Sequence, residues 1–394
     1  MEHSLAVGSK PSTHIRIYVV TYRRPHLLER ALRSLVTQTH PYWVAEVLND
    51  DPADARVDEV IRRIGDPRIV LSSPPMKRGG TGNFNHAFRT VSEPFASILE
   101  DDNWWEPGFL EAALACLQRH PEATVLCGNE RVWREEIDGS WTEDRIVRPV
   151  SPAESLLDVE IAAKCGAAAL CNSALLFRTE GAEAFQTPAS IPIDVTEHYR
   201  ERAIPNPIVL MNAPLVNYAE TLQTHRGNGD SWDTHVLLLT GSTFALCPPE
   251  RRAGLAADLW RRARSLTPSN AVSLIAVGLF IPEARVILRH VRLGEAARFA
   301  LYAARRPRRI MKLARARRRH AVEWQWLLQG AFADYVRAQD ASARRAATPS
   351  CGQPAKNSSL ASPASIRRLQ NHRLGSSYSP AIPQSSFRAL LRRR

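Results

Sequence analysis

Hydrophobic and polar residues follow a repeating strand-like and helix-like order over the first third of the chain. Ile15, Ile17 and Val19 alternate with their neighbours, which is typical of a strand, and the next apolar residues recur at helical spacing. The pattern predicts strands at 15–19, 43–48, 68–72, 95–99 and 123–128, separated by helices at 26–38, around 57–61, at 83–90 and at 109–117. This alternation predicts an α/β fold, a Rossmann-like mostly parallel sheet flanked by helices.

Acidic residues follow two of the predicted strands. The second strand ends in Asn49-Asp50-Asp51, and the apolar run 95–99 ends in Glu100-Asp101-Asp102-Asn103. Adjacent carboxylates repel one another and are costly to bury, so a cation such as Mg²⁺ or Mn²⁺ is expected to neutralise them and to bridge to phosphate. The alternative is an acidic turn before the next helix, since Asn103 and Pro107 are also typical of helix starts.

The carboxyl ends of parallel strands meet at one edge of a sheet, where α/β proteins bind ligands. The two acidic strand ends therefore suit a nucleotide held across that edge, with one Asp for base or ribose and the other group for metal and diphosphate. The segment Lys77–Gly82 is basic and rich in glycine. It could donate backbone N–H groups to phosphate, or it could be an ordinary connector.

The balance of charge reverses along the chain. The net charge is −10 before Glu250 and +22 from that residue onward, for +12 overall. Basic residues in the second part are interleaved with apolar ones, for example in the run 296–322, which is typical of helices at an anionic membrane surface. A helical extension packed on the α/β domain, with a solvated basic face, is an alternative. RNA binding is another, but no nucleic-acid-binding module is recognisable.

Several features bear on the location of the protein. No window is long and apolar enough for a transmembrane helix, and residues 1–13 lack the layout of a signal peptide. The six cysteines lack C-x-x-C spacing, which favours reduced thiols. We therefore expect a cytoplasmic protein, peripheral on the inner face of the membrane. Residues 341–394 are rich in Ser, Ala, Pro and Arg and are predicted to be disordered.

Three motifs resemble family 2 glycosyltransferases. The segment 15–39 is similar to the family's opening strand, its Thr-Tyr-Asn/Arg-Arg-Pro turn and a helix ending in Gln-Thr. Asn49-Asp50-Asp51 falls where the family has an Asp-Asp pair, with Asn49 departing from the usual Asp, and Glu100-Asp101-Asp102-Asn103 resembles its DXD-type metal motif. Asn85 falls near the family's Asn-x-Gly/Ala helix. The resemblance covers about residues 14–230.

The resemblance implies a GT-A fold that uses a nucleotide-diphosphate sugar with Mn²⁺ or Mg²⁺ and inverts the anomeric centre. By position, Thr21 and Asp50 would contact the nucleobase, Asp101 the ribose or sugar, and Asp102 the metal. His225, in the polar loop Thr224–Gly229, would complete the metal shell or meet the diphosphate, although a lone loop histidine is often only solvated. The full candidate donor-binding set is Thr21, Tyr22, Arg24, Asp50, Asp51, Lys77, Gly82, Asn85 and Asp101.

The catalytic base is also suggested by the resemblance. Ile193-Asp194 and Arg200 are similar to the family's Glu-Asp…Arg element, with Ile193 where a Glu is usual, which places the base at Asp194. An inverting transfer needs one carboxylate to take the proton of the acceptor hydroxyl. Asp194 could instead cap a helix over Glu197, as in a capping box. Glu197 is the second candidate for the base.

The predicted organisation is a catalytic domain at 14–248, a basic helical extension at 249–340 and a disordered tail at 341–394. The expected partners are a nucleotide-sugar donor, a carbohydrate or lipid-linked acceptor and an anionic membrane, in cell-envelope polysaccharide or glycolipid synthesis, without nucleic acid. A nucleotidyltransferase is an alternative, but it would need a Gly-rich basic signature after the first strand, which Thr21–Pro25 lacks. A catalytically inactive glycan-binding relative is another, and the carboxylates at 101, 102 and 194 argue against it.

Overall fold

The structure is a computed structural model that describes residues 13–72, 74, 76–159, 161–165, 170–222, 230–266 and 268–347. The strands are β1 Ile15–Thr21, β2 Trp43–Asn49, β3 Ile69–Ser72, β4 Phe95–Glu100, β5 Trp104–Trp105, β6 Val125–Glu135, β7 Trp141–Ile146, β8 Ser155–Leu157, β9 Leu175–Arg178 and β10 Ile208–Glu220. The helices are α1 Pro25–Val36, α2 Arg56–Ile64, α3 Gly79–Ala87, α4 Phe109–Arg119, α5 Ile193–Ala203, α6 Asp230–Leu246, α7 Arg252–Leu266, α8 Pro268–Phe280, α9 Leu293–Arg305, α10 Pro307–Arg319, α11 Ala321–Leu327 and α12 Gly330–Ala347.

The strands form one sheet in the order β3-β2-β1-β4-β9-β6-β10-β5, with β7 on β6 and β8 on β10. Parallel pairing joins β1 to β2 and β4, β2 to β3, and β6 to β10. Strand β9 runs antiparallel to both β4 and β6, so β4, β6 and β10 all point the same way. The predicted α/β class, a mostly parallel sheet flanked by helices with further helices after it, is confirmed.

The first core is built from the alternating residues of the sheet and the apolar faces of the helices that cover it. The side chains of Ile15, Ile17 and Val19 are fully buried, as are Leu28 and Leu32 of α1. Strand β1 lies between β2 and β4 in register, so all three strands end at the same level. That shared end is the edge at which the predicted acidic residues lie.

The helices after the sheet form a second core. Leu238 of α6, Trp260 of α7 and Ile275 of α8 are buried in it, together with Tyr199 of α5. The predicted boundary at 248 lies between α6 and α7, and residues on both sides of it share this core. Within the described ranges, no helix combines the length and apolar character needed to cross a membrane.

Several predicted boundaries differ from the structure. Helix α3 begins at Gly79, whereas the sequence pattern placed a loop over Lys77–Gly82 and a helix only from residue 83. Helix α4 begins at Phe109 after Gly108, so Asn103 is not its cap. Helix α12 continues to Ala347, which lies in the predicted tail. The predicted leader, apart from residue 13, and the tail after residue 347 lie outside the described residues.

Candidate functional site at the carboxyl edge of the sheet

Asp101 is the most buried acidic group at the edge, with 0% of its surface exposed. It follows β4 directly, and its Oδ2 accepts hydrogen bonds from Thr21 Oγ1 at 2.8 Å and from the backbone N–H of Tyr22 at 3.3 Å. Burial raises the pKa of Asp101 to about 7, although Arg24 acts to lower it. The carboxylate therefore depends on neighbouring cations to stay charged at neutral pH.

Arg24 joins the two adjacent aspartates. Its Nη2 lies 2.6 Å from Asp101 Oδ1, and its Nη1 donates to Asp102 Oδ2 at 2.7 Å. The turn before α1 brings Arg24 to this point, and Arg23 in that turn adopts a left-handed φ of 59°. Arg24 thus holds the pair in the structure as described, and a bound cation would have to share the pair with it.

The second acidic strand end lies across β1 from the first. Asp50 is buried, and its Oδ1 accepts a hydrogen bond from the backbone N–H of Gly79 at 2.8 Å. Lys77 Nζ lies 3.8 Å from Asp50 Oδ2 and 3.9 Å from the centre of the Tyr22 ring. Asp51 instead pairs with Arg23 at 2.5 Å. The edge therefore offers an acidic group, an exposed aromatic ring and a lysine together.

Arg30 supports the other side of the acidic turn. Its guanidinium lies between the rings of Trp104 and Trp141, at 3.8 and 4.3 Å from their centres, and Nη2 donates to the backbone carbonyl of Asp102 at 2.7 Å. Trp133 packs against Trp104 with ring centres 5.7 Å apart. Burial lowers the pKa of Arg30 to about 10. This aromatic slot, formed by Trp104 and Trp141, fixes the orientation of the Arg30 guanidinium. Arg30 in turn holds the backbone of Asp102 in place.

Behind the aspartates lies a cluster of glutamates that the sequence pattern does not indicate as a group: Glu130 is buried, and Glu100 and Glu197 are half-buried. Burial raises the pKa of Glu100, and the charges of Asp102 and Glu197 raise it further. Burial likewise raises the pKa of Glu197 and brings the pKa of Glu130 to about 7. The charge of Glu197 on α5 therefore acts on the pKa of both Glu100 on β4 and Glu130 on β6.

Polar groups from the segment before β9 hold this cluster. Ser173 Oγ donates to Glu100 Oε2 at 2.9 Å, and Asn172 Nδ2 donates to Glu197 Oε1 at 2.9 Å. Arg200 donates to Asn172 Oδ1 at 2.9 Å, and its buried Nε and Nη2 have no hydrogen-bond partner among the described residues. Burial lowers the pKa of Arg200 to about 10. The polar pair Asn172-Ser173 ahead of the apolar run 174–177 is the sequence signal for these contacts.

Helix α5 carries both candidate bases. Asp194 is exposed in its first turn, and Glu197 lies three residues later, so the two side chains share a face. Pro192 occupies the cap position without a side-chain hydrogen bond, so Asp194 does not act as the cap that the alternative interpretation required. Ile193 packs against α3 at Gly80, where a Cβ atom would come within 3.0 Å of the Ile193 side chain. This close contact fixes the start of α5 beside the Gly79 that binds Asp50.

Two predicted donor-binding residues have other contacts. Asn85 Nδ2 donates to the carbonyl of Thr187 at 2.7 Å, and Asn85 Oδ1 accepts from the Thr187 N–H at 3.0 Å, so its amide joins α3 to the segment before α5. Gly82 lies within α3, where a Cβ would come within 3.1 Å of Arg78 Cβ. Asn85 therefore has a structural contact, and Gly82 lies in a helix where the sequence pattern predicted a loop. His225 lies outside the described residues.

A divalent cation at this edge would need hard oxygen ligands. Asp102 supplies a carboxylate, and the buried Asp101 Oδ1 has an ion pair with Arg24 but no hydrogen bond within the described part of the chain. In the described part of the chain, no three His, Cys, Asp or Glu side chains are placed to hold a metal ion. The two carboxylates would hold a cation of the Mg²⁺ or Mn²⁺ type only together with oxygen ligands from a bound substrate or water.

The edge places acids at the ends of β2 and β4, on either side of β1, and α/β proteins bind ligands at this edge of the sheet. Residues 16–176 match the family described as glycosyl transferase family 2. The resemblance that the sequence motifs indicate is thus confirmed over this part of the chain, and with it the prediction of a glycosyltransferase.

Curated relatives match over part of the chain. The putative colanic acid biosynthesis glycosyl transferase WcaA of Escherichia coli K12 is 25% identical over 124 residues, 31% of this chain and 44% of that protein. The UDP-Glc:alpha-D-GlcNAc-diphosphoundecaprenol beta-1,3-glucosyltransferase WfgD of Escherichia coli is 25% identical over 118 residues, 30% of this chain and 46% of that protein. The match thus spans less than half the length of each relative.

Solved structures are similar over more of the chain but at lower identity. S. aureus TarS 1–349 in complex with UDP is 16% identical, with 84% of this chain and 92% of that chain covered and a TM-score of 0.49. The mannosyltransferase PcManGT from Pyrobaculum calidifontis, in complex with GDP-Man and Mn²⁺, is 18% identical, with 83% and 87% covered and a TM-score of 0.42.

Proposed function

We propose that the protein transfers a sugar from a nucleotide-diphosphate donor to an acceptor hydroxyl, with inversion at the anomeric carbon. The observation that carries this proposal is the level ending of β2, β1 and β4, which puts Asp50, Thr21 and Asp101 side by side at one edge. A nucleotide laid across that edge meets an acid at either end. The match of residues 16–176 to glycosyl transferase family 2 supports the same reaction class.

In this proposal the nucleobase and ribose lie on the side of Tyr22 and Asp50. The Tyr22 ring is exposed and offers a surface on which the base can stack. Lys77 lies beside this ring, and its ion pair with Asp50 is long at 3.8 Å, so the lysine can turn toward a phosphate. Asp101 accepts hydrogen bonds from a ribose or sugar hydroxyl. Arg23 orders the turn through its ion pair with Asp51.

Asp102, with Asp101 behind it, would hold the divalent cation together with the donor diphosphate. Bound there, the cation would neutralise the diphosphate and help the nucleoside diphosphate to depart. Arg24 forms ion pairs with both carboxylates and compensates their charge before the donor arrives. Arg30 holds the backbone of Asp102 from the opposite side.

We assign the general base to Asp194. Its carboxylate is exposed at the start of α5, and the close packing of Ile193 on Gly80 keeps that start near the donor edge. A base must be open to the acceptor hydroxyl whose proton it takes as the C1–O bond forms. Glu197 lies deeper and accepts a hydrogen bond from Asn172, so it is the second candidate.

The acceptor in this proposal is a carbohydrate or lipid-linked glycan of the cell envelope, and the enzyme works at the cytoplasmic membrane surface. One relative, WfgD, is named for transfer from UDP-Glc to a sugar on diphosphoundecaprenol, and WcaA is named for colanic acid biosynthesis. The reversal of net charge, from −10 before Glu250 to +22 after it, supports attachment to an anionic membrane.

Calorimetry with nucleotides tests the donor site. UDP, GDP and their sugar conjugates are titrated into the full chain with Mn²⁺ and with EDTA. We expect at least one nucleoside diphosphate to bind, and to bind more tightly with Mn²⁺, because the diphosphate otherwise faces two carboxylates. Equal affinity under both conditions would exclude the metal role. Binding of nucleoside triphosphates with release of pyrophosphate would instead indicate a nucleotidyltransferase.

A further inference from the structure

The basic helices lie at the same end of the molecule as the acidic edge. Strand β10 points the same way as β4, so it ends with Glu220 at the carboxyl edge, and α6 begins ten residues later at Asp230. The ring of Trp232 in the first turn of α6 meets His198 of α5 edge-on at 4.8 Å. The start of α6 therefore packs one residue away from the candidate base Glu197.

That same turn of α6 also anchors the basic helices. Arg309 Nε donates to Asp233 Oδ2 at 2.5 Å, and Tyr302 Oη donates to the same oxygen at 3.3 Å. Tyr302 belongs to α9 and Arg309 to α10, so Asp233 holds the corner where the two helices meet. A continuous set of contacts thus joins α5, α6 and this corner.

The outer side of the corner is cationic. A depression of about 390 Å³ is lined by Arg305, Arg306, Pro307, Arg308 and Arg309. Among the described residues, Arg305 and Arg308 form no ion pair, whereas Arg309 is held by Asp233 and Arg306 lies over the Tyr302 ring. The free guanidinium groups suit phosphate oxygens, which they can bind bidentately.

Apolar side chains flank the arginines. Leu301 is 52% exposed and Met311 is 50% exposed, one on each side of the corner. Their spacing from Arg305 and Arg308 puts each on the same helix face as a free arginine, four and three residues away. Nucleic acid offers no apolar interior for such side chains, whereas the acyl region of a bilayer does.

We propose that the α9–α10 corner docks on an anionic phospholipid bilayer, with Arg305 and Arg308 on lipid phosphates and with Leu301 and Met311 in the boundary below them. The corner is fixed to the first turn of α6, so docking presents the active-site edge to the membrane. The part of this inference that concerns a lipid-linked acceptor rests on the proposed function. The docking itself does not.

Vesicle flotation of the full chain tests the docking surface. The probes are phosphatidylcholine vesicles with and without phosphatidylglycerol. The double variant Arg305→Gln/Arg308→Gln is compared with Arg56→Gln/Arg62→Gln on α2, which removes equal charge far from the corner. At about 1 kcal/mol for each arginine, we expect the corner variant to bind anionic vesicles about thirtyfold more weakly, and the α2 variant to bind as the wild type does.

Further arms separate the competing explanations. Leu301→Gln/Met311→Gln should weaken binding mainly at high salt, where the electrostatic part is screened. Equal loss in the corner and α2 variants, binding that ignores lipid charge, or preferential binding of single-stranded RNA would overturn the proposal. UDP calorimetry on the same variants is expected to be unchanged. Failure of the donor site would appear there, and failure of docking would appear only with vesicles.

Discussion

The sheet and the helices that follow it, α6–α12 (the helical layer), differ in where their charged residues lie. The sheet buries carboxylates at its carboxyl edge, where Asp101, Glu100 and Glu130 lie among Arg24, Arg148 and polar side chains. The helical layer has a mainly apolar interior, in which Glu323 is a buried charged group, and carries its arginines mostly outside. Buried charges are costly, and proteins retain them where their chemistry is needed, whereas surface charges cost little and act over a distance.

The sheet edge and the helical layer are therefore suited to two different roles within one chain. A carboxylate whose pKa is shifted by burial can bind cations or move protons in a defined place, which a solvated side chain does poorly. An exposed arginine attracts anionic surfaces but does not hold a substrate in a defined position. We therefore expect substitutions at the edge to change donor binding and transfer, and substitutions on α9 and α10 to change only where the protein is found.

The largest expected effect is that of Asp102→Asn. Removal of this charge leaves Arg24 with one partner and takes away the carboxylate proposed for the cation, so Mn²⁺-dependent UDP binding should weaken by at least a factor of about a thousand. Calorimetry measures it. Asp54→Asn, at the start of α2, is the control and should bind UDP as the wild type does. A comparable loss of UDP affinity in both variants would mean that the loss is not specific to the carboxylates at the sheet edge.

The next effect separates the two candidate bases. Asp194→Asn should keep donor binding and lose about a hundredfold in transfer, the usual scale for a general base. Glu197→Gln is the matched variant, because glutamine can still accept the hydrogen bond from Asn172. Transfer assays with one donor and acceptor decide. Normal transfer by Asp194→Asn together with loss in Glu197→Gln would move the base to Glu197.

A smaller effect is expected for the aromatic slot. Arg30→Gln removes the cation between Trp104 and Trp141 and weakens the hydrogen bond to the Asp102 carbonyl, so the acidic turn should become less fixed. We expect UDP affinity with Mn²⁺ to fall about tenfold, the scale of a lost supporting contact around a ligand site. Arg33→Gln, one turn further along α1, is the control. An unchanged affinity in Arg30→Gln would show that the slot serves stability alone.

Much of the sheet could be predicted from the sequence because local periodicity encodes it. The alternation at 15–19 and the apolar run at 95–99 both specify strands, and the acids after them follow from the strand ends. The first turn of helix α3 could not be predicted, because its glycines are typical of loops, whereas the rest of the helix falls within the predicted range 83–90. At Gly80 the small residue is required by the close approach of Ile193, which is distant in sequence.

The glutamate cluster was missed for a related reason. Glu100, Asn172 and Glu197 come from three separate segments, and nothing in the spacing of each one shows that they meet. The helical layer was only partly predictable, since the basic run 296–322 is divided at Pro307 into α9 and α10. Local pattern indicates that such helices form but does not specify which faces pack.

The smallest effect concerns pH and compares one glutamate from each region. Burial raises the pKa of Glu130 in the sheet to about 7, with Arg148 opposing the shift. Glu323 in the helical layer is also buried, which acts to raise its pKa, but a hydrogen bond from Ser190 and the charge of His320 bring the net shift below the usual value. The two groups should therefore make the stability depend on pH with opposite signs.

The sign follows from proton binding in the folded and unfolded states. Folded Glu130 holds its proton up to about pH 7 while the unfolded chain releases it near 4.5, so its contribution falls as the pH rises through that window. Glu323 is stabilising above its unfolded pKa, and that contribution is lost as the pH falls. Between pH 5 and pH 8, the free energy of unfolding of Glu130→Gln should thus rise by on the order of 1 kcal/mol relative to that of the wild type. Glu323→Gln should be less stable than the wild type near neutral pH and approach it in acid. Thermal unfolding followed by tryptophan fluorescence at several pH values measures both differences, and a shift of both variants in the same direction would contradict the assigned environments.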